Sequence, residues 1–219
     1  MNPDIPTWMQ AVRDAGYRNS LFGKTHLHPH LILNPQLIQK ESETGEIGRN
    51  DLRDREELMH AYGLDDVDEI AGPRASARTL SYMTEMWDKK GVWDAYREDY
   101  EERFTNKPWV VRPSSHRLED YADVYVGQQA KSYLENYDRD QPWCCWVSFG
   151  GPHEPWDTPE PYASKYEPDG LPEPIARPEE QQDRPGGTLD DRYELQENMK
   201  FEPGEEGRMR ADYAGNISL

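Results

Sequence analysis

Three side chains in this sequence are of the types that hold oxyanions and move protons, and each sits just past a candidate strand. Lys24 and His26 lie in Gly23-Lys24-Thr25-His26-Leu27-His28-Pro29-His30, and His153 lies in Gly150-Gly151-Pro152-His153-Glu154-Pro155. A lysine supplies a fixed positive charge, and an imidazole exchanges a proton near neutral pH. Two histidines and a lysine around one point would suit transfer or hydrolysis of an anionic group such as sulfate or phosphate. The same residues have plainer uses, since a lone histidine in a turn is more often solvated or structural and a lone lysine is usually surface. They also have a rival use. His26, His28 and His30 alternate, so an extended segment would bring them to one face, where they could bind zinc or another transition metal. Pro29 spoils strand geometry there, and no carboxylate or cysteine adjoins them.

For Lys24, His26 and His153 to meet, two strands must end on the same edge of a sheet. Trp8, Ala11, Val12 and Ala15 are spaced for one face of a helix that Thr7 caps and Gly16 stops, and Tyr17 to Phe22 follows as a strand. The order then repeats. Val126, Ala130, Tyr133, Leu134 and Tyr137 line one face of a helix over about 119–137, and a turn at Arg139-Asp140-Gln141-Pro142 leads into Trp143 to Phe149. That run is apolar almost throughout, which predicts a strand covered on both faces, as in a parallel sheet flanked by helices. Each unit delivers a glycine-flanked polar loop at the strand's C-terminal end, where open α/β sheets place ligands. Lys24, His26 and His153 are therefore expected in one cleft, within about 10 Å of each other, with His28 and His30 directed elsewhere.

The remaining stretches are less regular. Residues from about 34 to 116 are charge-dense and read as an insertion, mobile or substrate-facing, with helix-like pieces near Asp51–Tyr62 and Arg74–Asp88. A proline-rich loop covers about 155–187. Met209, Tyr213 and Ile217 begin an amphipathic helix that meets Leu219 without an exit, so the chain is expected to be cut within an element.

Composition narrows the function. Among 219 residues, 43 acidic and 25 basic side chains leave a net charge of −18, which argues against a nucleic-acid or anionic-membrane binder. No apolar run approaches the roughly 18 residues of a membrane span. The start, Met1-Asn2-Pro3-Asp4, lacks a secretory pattern, and location stays undetermined. Leu, Ile, Val and Phe make up only 34 residues, but 7 Trp and 13 Tyr point to a folded chain with a thin aliphatic core and aromatic packing. Cys144 and Cys145 are sequence neighbours inside the apolar run, unsuited to a disulfide or a metal site and best read as small inert residues.

The segment Ala15-Gly16-Tyr17-Arg18-Asn19-Ser20-Leu21-Phe22-Gly23-Lys24-Thr25-His26 resembles the sulfatase signature "GY-T-x-x-x-GK-x-H". Trp143 to Pro155 resembles the later segment "PFF-x-x-x-x-F-x-x-PH-x-P" of the same family, and Tyr213-Ala214-Gly215-Asn216-Ile217 fits its order. The resemblance implies an alkaline-phosphatase-like α/β fold, a sheet flanked by helices and here incomplete at both ends. It implies hydrolysis of sulfate esters of a small molecule or carbohydrate, through a formylglycine nucleophile beside a divalent metal, calcium being expected. Lys24 would match the lysine bridging nucleophile and sulfate, His26 the histidine bonded to the formylglycine hydrate, and His153 the histidine near the leaving oxygen. The sequence departs from the family in one decisive place, because it contains no Cys-x-Pro-Ser-Arg. The family's acidic metal ligands also lie outside the matched segments, and Asp65-Asp66 and Asp190-Asp191, which resemble neither set, read as solvated loop. The expectation is an internal part of a sulfatase catalytic domain that does not turn over by itself. A phosphatase or phosphonate-ester hydrolase of the same superfamily, or a non-catalytic anion-binding module, are the alternatives. Trp156, Tyr162 and Asp157 could line the rim after His153, although packing is the commoner role for such loop residues.

Overall fold

The computed structural model describes residues 5–28, 50–106, 109–172 and 202–219. Its helices are α1 (Trp8–Asp14), α2 (Glu56–Ala61), α3 (Pro73–Ser76), α4 (Tyr82–Lys90), α5 (Trp93–Asn106), α6 (Ala122–Glu135) and α7 (Glu205–Ile217). The strands are β1 (Arg18–Lys24), β2 (Asn50–Asp51), β3 (Asp66–Ile70), β4 (Thr79–Leu80) and β5 (Trp143–Ser148). β3, β1 and β5 form the central sheet in that order, with both pairings parallel, and β2 and β4 pair separately. Gly23 stands opposite both Glu69 and Ser148. The three strands therefore end on one edge, as the repeated helix, strand and loop order predicts for β1 and β5.

Side chains alternate across β1, so the sheet carries a core on each face. Leu21 packs with Met9, Met59, Tyr62 and Leu64, while Phe22 joins a larger cluster that includes Ile70, Trp87, Trp93, Tyr96 and Tyr125. Aromatic rings supply much of the second core, which answers the scarcity of aliphatic residues.

Thr7 opens α1 with a capping box, its hydroxyl accepting from the Gln10 amide while the Gln10 side chain accepts from the Thr7 amide. Gly16 follows the helix with φ +93°. The buried face is not the expected one, because Met9 is buried and Trp8 is 51% exposed. The cause is docking of the first turn: Thr7 Oγ1 donates to Tyr62 O at 2.6 Å and Asn19 Nδ2 donates to Met9 O at 2.6 Å, which rolls Met9 inward.

Four further expectations change. Much of the stretch read as an insertion builds the body of the fold, with β3 in the sheet and α4 and α5 in the aromatic core. β3 hides its identity in Asp66-Val67-Asp68-Glu69-Ile70, three acids whose burial is balanced by neighbours distant in sequence. Asp66 takes a fork of bonds from Arg18 at 2.5 and 2.6 Å, and Asp68 accepts from the Tyr125 hydroxyl at 2.7 Å. Asp65 and Asp66 are thus structural ion-pair partners rather than solvated loop, Asp65 pairing with Arg13 at 3.0 Å. Asp190 and Asp191 lie outside the described residues.

β5 is apolar but not covered on both faces, for it forms an edge of the described sheet with Trp143 48% exposed. α7 buries Ala211, Asp212 and Gly215 and leaves Tyr213 and Ile217 exposed, the reverse of the expected face. A polar contact decides this orientation. Asp212 accepts from the Thr158 amide at 3.2 Å and from the Thr158 hydroxyl at 2.9 Å, and so turns inward.

Candidate active site

Lys24 is the last residue of β1, and its side chain runs along Gly72, where an added Cβ would stand 2.8 Å from both Cε and Nζ. Burial lowers the pKa of this ammonium from its ordinary value, while the charges of Glu154 and Asp123 favour the protonated form. Lys24 is thus a partly desolvated cation held beside two carboxylates at the C-terminal edge of the sheet, where open α/β sheets place ligands.

The loop after Lys24 is pinned on both sides of His26. Thr25 donates its hydroxyl to Glu69, and His28 Nε2 lies 2.8 Å from the other Glu69 oxygen, with all three residues buried. Glu69 comes from the end of β3, next to the register partner of Lys24. His26 itself is exposed between these anchors. His28 is occupied by Glu69 and directed inward, as expected of a histidine outside the site. With His28 so held, the alternating-histidine metal reading loses a ligand, and His30 lies outside the described residues. Among the described residues no three His, Cys, Asp or Glu side chains are grouped to hold a metal ion, so no step below is routed through one.

His153 stands on the loop after β5 with its side chain 45% exposed. Its Nδ1 lies 2.8 Å from the Glu154 carbonyl oxygen and 3.1 Å from Glu154 Oε2. Carbonyl and carboxylate oxygens only accept, so Nδ1 carries the hydrogen and Nε2 is left to exchange a proton. The first part of the loop is fastened by Asp123, on the first turn of α6. Its two carboxylate oxygens accept from the Gly150 amide at 2.7 Å and the Gly151 amide at 2.9 Å. Burial raises the Asp123 carboxyl above the usual carboxylate range, against the pull of those two amides and of Lys24. Gly151 is required by crowding, since a Cβ there would come 2.5 Å from Asp123 Oδ2 and overlap the Asn216 side chain.

The structure thus brings Lys24 and the His153-bearing loop together, through Asp123 and Glu154, and places His26 on the same edge of the sheet. Sequence reasoning missed Asp123 and Glu69 as organisers of these loops. An acidic residue in the first turn of the helix before β5 is a weak signal, and nothing local marks Glu69. Of the rim candidates, Asp157 is buried, and Trp156 packs on Tyr213 while its carbonyl accepts from the Arg112 amide at 3.2 Å. Cys144 and Cys145 are free and partly buried within β5.

Two carboxylates beneath this loop are shifted upward, mainly by burial: Asp157 is pushed up to about 7 and Asp212 to about 6. A folded state that holds a proton more tightly than the unfolded chain is stabilised at low pH. That stabilisation is lost as pH climbs from the ordinary carboxylate range through the folded values. Stability should therefore fall by up to a few kcal/mol between about pH 4 and 7 on account of these groups. Thermal unfolding of the wild type and of Asp157→Asn over pH 4–8 checks this, the variant being expected to show a flatter profile. An equal slope in both would contradict it.

The architecture is an alkaline-phosphatase-like α/β fold, a parallel sheet flanked by helices. The chain is similar to a phosphonate monoester hydrolase from Silicibacter pomeroyi, with a TM-score of 0.55, 22% identity, and 100% of this chain against 42% of that one covered. It is also similar to a phosphonate monoester hydrolase of Agrobacterium radiobacter, with a TM-score of 0.51, 18% identity and 96% against 40% covered. The chain spans about two-fifths of the length of these enzymes. No family model and no curated protein sequence matches it.

Proposed function

We propose that this chain carries the oxyanion-handling edge of an ester hydrolase of the alkaline-phosphatase superfamily, acting on sulfate esters. The observation that carries this reading is the desolvated Lys24 ammonium at the end of β1, facing the loop that bears His153. Lys24 holds the anionic group and the charge that develops on it, His26 handles a proton on the nucleophile side, and His153 Nε2 serves the leaving oxygen. The three converge on a tetrahedral anion at the shared strand edge. The substrate is a sulfated small molecule or carbohydrate, and the nucleophile and metal ligands come from outside these residues, so the chain alone binds the anion without hydrolysing it. The resemblance of the Gly23-Lys24-Thr25-His26 and Pro152-His153-Glu154-Pro155 segments to sulfatase signatures supports sulfate. A second reading, phosphonate-monoester hydrolysis, is favoured by the likeness to two phosphonate monoester hydrolases.

Assays of the chain, and of a complete enzyme containing it, with aryl sulfate, alkyl sulfate and an aryl phosphonate monoester distinguish the readings. Preference for the phosphonate selects the second, and turnover by the chain alone overturns the division of labour proposed here. Within the complete enzyme, His153→Ala should cost about 10²-fold or more with the alkyl ester and much less with the aryl ester, whose leaving oxygen is stable without a proton. Equal losses on both would remove His153 from the leaving-group role.

A further inference from the structure

We infer that Asp123 is a positioning residue that clamps the His153 loop and aligns it with Lys24; its meaning for catalysis rests on the function proposed above. Each Asp123 oxygen takes one amide hydrogen, from Gly150 and from Gly151, which leaves the first two residues of the loop no freedom to slide or rotate. Asp123 is only 6% exposed and its bond to Gly150 is buried, so water is poorly placed to replace it there. Its charge also acts on Lys24, at the neighbouring strand end. One buried group therefore bonds one half of the edge and acts on the other through its charge.

Packing tightens the arrangement from a third side. Asn216 of α7 lies against Gly151 and donates to the Tyr121 hydroxyl at 3.0 Å. The loop thus enters between two side chains from different helices, and only a residue without Cβ fits at 151. His153 follows two residues later, so its reach is set by where Gly151 is held.

Nuclear magnetic resonance on the intact chain tests this. Asp123→Asn keeps the size but turns one acceptor into a donor, so amide exchange at Gly150 and Gly151 should accelerate by about tenfold or more. The Lys24 ammonium should titrate at lower pH, because a neighbouring negative charge is gone; a residue that merely supported folding would leave that titration unmoved. Should the variant fail to fold, the wild type decides. Slow exchange at both glycines, with their amide shifts following the Asp123 carboxyl signal through a pH titration, supports the clamp, and exchange at open-chain rates overturns it. Titration with inorganic sulfate separates the two levels. No response at Lys24 with both glycines protected would sink the oxyanion reading while upholding the clamp, and sulfate binding with unprotected glycines would do the reverse.

Discussion

Lys24→Ala is expected to cut kcat/KM of a complete enzyme containing this chain by about 10²-fold and to weaken sulfate binding by the chain itself by about tenfold or more. The size follows from the surroundings. Lys24 is partly withdrawn from water, which disfavours its charge, yet it stays beside Asp123 and Glu154, which favour it. An arriving anion is attracted by a cation that solvent screens poorly, and a transition state that gathers more charge gains more than the ground state. Lys24→Arg should rescue only in part, because a planar guanidinium fork does not present the compact point charge of an ammonium. Isothermal titration with sulfate and steady-state kinetics measure the two effects. Wild-type behaviour in the alanine variant would remove Lys24 from the site.

Arg103→Ala should be the most destabilising single change away from that edge, by about 3–5 kcal/mol. Arg103 is wholly buried, its Nε donating to Asp99 Oδ2 at 2.5 Å, Nη1 to the Val110 carbonyl at 3.2 Å and Nη2 to the Arg112 carbonyl at 3.1 Å. Its charge also lowers the pKa of Asp157, opposing the burial that raises it. Truncation would leave Asp99 Oδ2 and the Val110 and Arg112 carbonyl oxygens without this donor, although Asp99 Oδ1 keeps its bonds from Arg112. α5 would lose part of its tie to the segment around Val111, which bridges to Trp156, and would keep only the pairs of Asp99 and Glu102 with Arg112. Urea unfolding of the variant gives the number directly. A loss below about 1 kcal/mol would mean that the network relaxes around the missing guanidinium.

The sequence by itself determined what depends on near neighbours. The Thr7 capping box is written in Thr7 and Gln10, and the strands leading to Lys24 and Gly150 are written in apolar runs that glycines end. Their parallel pairing follows from the repeated order of helix, strand and loop, since such crossovers have one common hand. The loop positions of Lys24, His26 and His153 were legible for the same reason, each lying at or just past the end of a strand. Only the tertiary structure decided how these pieces face one another. β3 was hidden because three acids in five residues do not look like sheet until Arg18 and Tyr125 are placed beside them. The inward faces of α1 and α7 were misread because Asn19 and Thr158, from other elements, outweigh weak apolar periodicity in short helices. Asp123 reaches its glycines across 27 and 28 positions of chain, and Glu69 reaches Thr25 and His28 across more than forty. A buried carboxylate must find donors somewhere, but its composition does not say where, and chain topology alone supplies the answer.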